Sequence, residues 1–307
     1  MLIIRIHPLA QAILDGHSKI MSTTRTLMLL ALSMVVSAAH SMNTALPTLF
    51  IAGDSTAAKS PVAQQEGWGE PLVNYFDATK INVVNGAYGG RSSRTFVTQG
   101  HWEQLLAQLK AGDYVLLQFG HNDAGALNAE PPGSTRPLRA RGTIPGIGEQ
   151  SEAIDNVITG KHEVVHSFGW YLRKMIDDVR QKGATPIVLS LTARNLWKDG
   201  QVECGSGDYR QWDAEVAHAE SAAFIDLTRI LADRYQTLGP DTVKGFFSID
   251  YLHTNASGAV LNAAAVVSGL RALPDKPFDA ALSATGRAVA ADPGMGSSSV
   301  CPVITIN

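Results

Sequence analysis

The sequence has little cysteine, little charge and no basic run, and each shortage narrows what the chain can do. Cys204 and Cys301 are the two cysteines in 307 residues, and two thiols alone make no metal site. In an oxidising compartment they could pair and tie the C-terminal tail to the body; remaining as two inert thiols is the alternative. The absence of a Lys/Arg cluster argues against nucleic-acid binding. The 14 prolines and 28 glycines are too few and too scattered for a fibrous or disordered chain, and no internal repeat is visible. What is present, 45% hydrophobic and 17% charged residues, is the balance of a soluble globular protein with room for one large domain or two small ones.

The N-terminus reads as a targeting segment. From Met21, a polar stretch with Arg25 leads into the apolar run Leu27–Val36, and small residues follow at Ser37, Ala38, Ala39 and Ser41. That order describes a secretory signal peptide, with Met21 as the expected true start and residues 1–20 as an extension before it. The apolar run is too short to span a bilayer as a mature helix, so no membrane association is expected after cleavage. Without residues 1–41 the chain keeps 22 basic and 27 acidic side chains, a formal charge of −5. The expected location is secreted or periplasmic.

Beyond the signal, short apolar runs alternate with helical patterns. Strands are expected at Thr48–Ala52, Ile81–Asn85, Tyr114–Phe119, Pro186–Leu191 and Ala223–Leu227, and helices at about 68–79, 101–110, 164–182, 208–221 and 256–272. Continuous rather than alternating apolar strands suit a sheet covered on both faces. The expected fold is therefore α/β, a parallel sheet of about five strands with helices on both sides, spanning 47–273. Residues 124–161 carry no period and read as a long loop; residues 274–307 read as a weakly ordered tail.

His162-Glu-Val-Val-His166 matches the His-Glu-x-x-His zinc pattern literally. Leu172 stands where the extended pattern needs a third histidine, and Asp177 and Asp178 lie too far along the same helix. The stretch is better read as the start of an amphipathic helix, with Val164, Val165, Phe168 and Leu172 inward. No metal or cofactor is expected.

Chemistry gathers at the strand ends instead. Gly53-Asp54-Ser55-Thr56 follows the first strand, where open α/β sheets carry reactive groups. Asp54 reads as a turn residue. After the second strand, Gly89-Gly90-Arg91 can bring a backbone N–H close to a ligand. After the third, Asn122 of Gly120-His-Asn-Asp123 can offer an amide to developing oxyanion charge. Asp250 and His253, three apart before the last helix, can pair through Nδ1 and leave Nε2 to accept a proton from a serine.

These blocks, in order, resemble the four blocks of the SGNH (GDSL-type) hydrolases. Gly53-Asp-Ser-Thr-Ala57, Gly67-Trp-Gly-Glu70, Gly89-Gly-Arg-Ser-Ser-Arg-Thr-Phe96 and Phe119-Gly-His-Asn-Asp123 are similar to the rhamnogalacturonan acetylesterases, over roughly 48–272. Thr56 replaces the leucine of the lipolytic version. Gly142–Glu149 and Lys161–Leu172 also resemble bacterial members. The resemblance implies a flavodoxin-like SGNH fold and a Ser55–His253–Asp250 triad. It also implies an oxyanion hole from Ser55, Gly90 and Asn122, and an acetylated polysaccharide, most simply rhamnogalacturonan, as substrate. The alternatives are a lipase or thioesterase or an acetyl xylan esterase on the same fold, and a sugar-binding protein with a dead site. Arg91, Arg94, Arg194 and Lys198 are candidate contacts to an anionic polymer, and Trp68 and Trp197 candidate sugar platforms.

Overall fold

A computed structural model describes residues 45–135, 137–205, 207–296 and 299–306; the expected signal peptide lies outside them. Residues Leu46–Asn307 form one compact unit. Its centre is a sheet of five parallel strands in which β1 (Thr48–Gly53) and β3 (Tyr114–Gln118) lie side by side, with β2 (Asn82–Asn85) outside β1. Beyond β3 come β6 (Thr185–Leu189) and β7 (Ala223–Ile225). The spatial order 2-1-3-4-5 among the sheet strands is the flavodoxin-like one, with its switch point between β1 and β3.

Alternate residues of β1 enter opposite cores. Leu49 and Ile51 join the apolar stripes of α5 (Leu227–Leu238) and α6 (Ala256–Ala272). Phe50 and Ala52 join those of α1 (Ser93–Thr98), α2 (His101–Leu106), α3 (Phe168–Gln181) and α4 (Tyr209–Ala219). Both faces of the strand are therefore dry, which explains why its sequence is apolar from Leu49 to Ala52.

The local expectations fail where a distant partner decides the structure. Residues 162–166 form a strand, β5 (His162–His166), rather than the start of a helix. β5 pairs antiparallel with β4 (Ser151–Asp155), inside the stretch read as loop. Val165 is buried but Val164 is 47% exposed, the alternation of a hairpin. α3 begins only after Ser167, whose extended backbone and Oγ, accepting from the Trp170 N–H, make it the N-cap. The pattern at 68–79 yields Gly69–Leu72 and one 3₁₀ turn, after which Phe76 turns extended and bridges to Leu282. The last strand stops at Ile225 because Asp226 caps α5, a helix not expected from the sequence.

The segment beyond 273 is also more than a loose tail. Phe278 and Leu282 are buried in the core, and Asp292 pairs with Arg229. Cys204 and Cys301 form a disulfide with Cα atoms 5.4 Å apart, 97 residues apart in sequence. Closing so long a loop in the unfolded chain has a loop-entropy value of about 4.7 kcal/mol at most, and about 2–4 kcal/mol is typical. A Cys204→Ser/Cys301→Ser variant is expected to lose stability in that range by urea titration. An unchanged midpoint would show that the crosslink constrains nothing. Among the described residues no helix is long and apolar enough to cross a membrane.

Candidate active site

Ser55 sits two residues beyond β1, in a turn held from several sides. The Asp54 carbonyl accepts the Ala57 and Ala58 N–H groups at 3.2 and 3.0 Å, and Asp54 Oδ1 accepts the Thr56 N–H at 2.8 Å. The Thr56 hydroxyl lies 2.8 Å from Asp54 Oδ1 and 3.0 Å from Gln118 Oε1, contacts a leucine there could not make. Behind the turn, the N–H groups of Gly67, Trp68 and Gly69 donate to the carbonyls of Ala58, Thr56 and Ala57. A Cβ on Gly67 would stand 2.3 Å from Ala57 and Ala58 backbone atoms, so this close approach requires glycine. Trp68 is fully buried and donates to Gln118, so it braces the turn and offers no sugar platform.

Across the turn, Ser55 Oγ lies 2.9 Å from His253 Nε2, and His253 Nδ1 lies 2.7 Å from Asp250 Oδ2. The second carboxylate oxygen accepts the Leu252 and His253 N–H groups at 2.8 and 2.7 Å. Partial burial pushes Asp250 up, but the bonds from His253 and Leu252 outweigh it and hold the carboxyl below its ordinary value. An ionised Asp250 accepts a hydrogen bond from Nδ1–H, which keeps that proton on Nδ1 and leaves Nε2 as acceptor for the serine hydroxyl. The loop is locked to the Ser55 turn by Glu66 N–H to Thr254 O and Thr254 Oγ1 to Glu66 O. Asn255 then caps α6.

The expected oxyanion residues converge on the same place. Gly90 has φ +76°, a conformation side chains resist, and its N–H, like that of Ser55, has no partner among the described residues. One N–H of the Asn122 amide is anchored to the Arg91 carbonyl at 2.9 Å, which fixes the group and leaves its second N–H. Ser55, Gly90, Asn122 and His253 all line one cleft of about 970 Å³, together with Tyr88, Arg139 and Arg141.

Asp123, left without a role by the sequence, joins the Gly90 loop to the Asn122 loop. It accepts from Ser93 Oγ at 2.5 Å and Ser93 N–H at 3.0 Å, just past Gly90, and from the Gly120 N–H at 3.1 Å. Burial pushes its carboxyl from 3.8 up to about 7, with the Ser93 and Gly120 bonds opposing and Asp54 adding. Between those values the folded protein keeps a proton that the unfolded chain has released. Its contribution to stability therefore falls as pH rises through that window. The Tm gap between wild type and Asp123→Asn is expected to be wider near pH 4.5 than near pH 7.5; a gap widening with pH would contradict this.

Other candidates fall outside the cleft. Arg94 is fully buried, paired with Glu163 at 2.7 and 2.9 Å and bonded to the Leu127 and Gly142 carbonyls. It fastens the β4–β5 hairpin to α1, and breaking such a buried pair costs about 3–5 kcal/mol. Arg194, Trp197 and Lys198 do not line the cleft. His162 and His166, four apart on a strand, are separated by roughly 13 Å, too far to share one ion. His166 stacks on Trp170 instead.

The sequence pattern of the GDSL-like lipase/acylhydrolase family matches residues 51–261. A rhamnogalacturonan acetylesterase of Emericella nidulans is 32% identical over 69% of this chain and 80% of that protein. A probable rhamnogalacturonan acetylesterase of Bacillus subtilis is 28% identical over 73% of this chain and 93% of that one. Among solved structures, protein YxiM of Bacillus subtilis superposes with a TM-score of 0.57 at 27% identity, over 74% of this chain and 56% of that one.

Proposed function

Since this chain belongs to the GDSL-like lipase/acylhydrolase family and is a carboxylic-ester hydrolase, we propose that it removes acetyl groups from plant cell-wall polysaccharide, most specifically rhamnogalacturonan. The observation that carries the proposal is the unbroken relay from Ser55 through His253 to Asp250, opening into a cleft of about 970 Å³.

In this mechanism Ser55 Oγ attacks the acetyl carbonyl as His253 Nε2 takes its proton, and Asp250 stabilises the imidazolium. The carbonyl oxygen becomes an oxyanion held by the Ser55 and Gly90 N–H groups and the free Asn122 N–H. His253 returns the proton to the departing sugar oxygen, leaving acetyl-Ser55, and then activates water to release acetate. The chain's own groups supply nucleophile, base and oxyanion donors, so the reaction needs no metal or organic cofactor. Asn122→Ala is expected to lower kcat about 10²–10³-fold with little change in KM; a raised KM with kcat unchanged would point to ground-state binding instead.

Arg139 and Arg141 in the cleft favour a polar, acidic substrate over a lipid. The Cys204–Cys301 disulfide supports a secreted or periplasmic setting. The test is acetate release from acetylated rhamnogalacturonan, acetylated xylan and an octanoyl model ester. Fastest release from the first is expected; preference for the octanoyl ester would replace this reading with a lipase.

A further inference from the structure

We infer that the pocket beside Gly90 is a carboxylate-binding subsite, in which Arg91, Arg139 and Arg141 hold the acid group of a uronate-type sugar while its ester faces Ser55. This rests on the polysaccharide-esterase reading and specifies how that site selects its substrate.

The pocket has a volume of about 350 Å³ and shares Gly89, Gly90, Arg139 and Arg141 with the cleft of the nucleophile, so one ligand can occupy both. Its three guanidiniums form no ion pair with a carboxylate among the described residues, nor do Arg194, Arg234 and Arg287 elsewhere, whereas Arg94, Arg173, Arg180, Arg210, Arg229 and Arg271 are paired. Two of the three are planted by backbone carbonyls. Arg91 Nη1 donates to Gly89 O at 2.9 Å and Arg141 Nη1 to Gly90 O at 3.0 Å. The Arg91 guanidinium lies 4.4 Å from the centre of the Tyr88 ring, and its Nε is buried without a partner.

Arg139 and Arg141, neither paired with a carboxylate, repel one another. Burial and then Arg139 push Arg141 down from its ordinary value; the buried Asp54 and Asp123 and the nearby Glu130 act the other way, without pairing. An incoming carboxylate would relieve that repulsion and use the fork geometry of guanidinium groups. Leu138 and Ile158, both about half exposed, supply apolar edges for a sugar's C–H face. Because Arg141 is bonded to Gly90, an acid group held there is set in register with the oxyanion loop. The formal charge of −3 gives the whole protein no attraction for an acidic polymer, so recognition has to be local.

The test uses trigalacturonate and its methyl ester as inhibitors of 4-nitrophenyl acetate hydrolysis, with wild type, Arg139→Glu and Arg139→Lys. Arg139 is exposed, and circular dichroism checks that each variant is folded. The free acid is expected to inhibit wild type at about tenfold lower concentration than the ester. Arg139→Glu should abolish that preference, Arg139→Lys should keep most of it, and salt should weaken it. Equal inhibition by acid and ester in wild type, or an unchanged preference in Arg139→Glu, would overturn the subsite. Acid-selective inhibition without acetate release from acetylated rhamnogalacturonan would uphold the subsite and sink the polymer assignment. Release without selectivity would do the reverse.

Discussion

Replacing Ser55 with alanine is expected to lower acetyl-ester turnover by about 10⁴–10⁶-fold while leaving the fold intact. The loss is large because the remaining groups can still bind ester and polarise its carbonyl, but no longer have an atom to acylate. The fold should survive because the turn is built from Asp54, Thr56 and the Gly67–Gly69 segment, and among the described residues the serine hydroxyl bonds only to His253. His253→Ala should be of similar severity, and the double variant should be scarcely worse than either single one, since the relay acts as a unit. Steady-state acetate release with a thermal melt checks both points. Multiplying losses in the double variant would mean that the two side chains act in separate steps.

Asp250→Asn is expected to cost about 10³–10⁴-fold in kcat with little change in KM. Asp250 is anchored by the Leu252 and His253 N–H groups as well as by Nδ1, so asparagine can occupy the same space. Its amide can then donate to Nδ1, which reverses the tautomer and points an N–H at Ser55. A variant within tenfold of wild type would remove Asp250 from the relay and leave it as a loop anchor.

The sheet and the relay were legible because both depend on short-range signals. β1 is a dry, largely apolar run ended by glycine; Ser55, Gly90 and Asn122 follow strand ends within a few residues, and His253 stands just before α6. The misread segments depend on partners far along the chain. His162–His166 has helical spacing of histidines but β-branched Val164 and Val165, and the deciding pairing comes from Ser151–Asp155, which has no period of its own. Arg94 reads as a free cation until Glu163, 69 positions on, closes over it. Trp68 reads as a sugar platform until Gln118 claims its indole N–H. Arg139 and Arg141 lie in the aperiodic stretch, where sequence gives no direction to a side chain. Asp123 was in view within Gly120-His-Asn-Asp123, yet its partner Ser93 opens α1, 30 positions earlier. A buried acid beside a motif asparagine was the available hint.

The central claim, that Ser55 is the nucleophile of an ester hydrolase, is tested most directly by labelling with a fluorophosphonate and mapping the modified peptide by mass spectrometry. A single phosphonylation on Ser55, lost in Ser55→Ala and slowed in His253→Ala, is the predicted result. Modification of another residue, or equal labelling of Ser55→Ala, would contradict it.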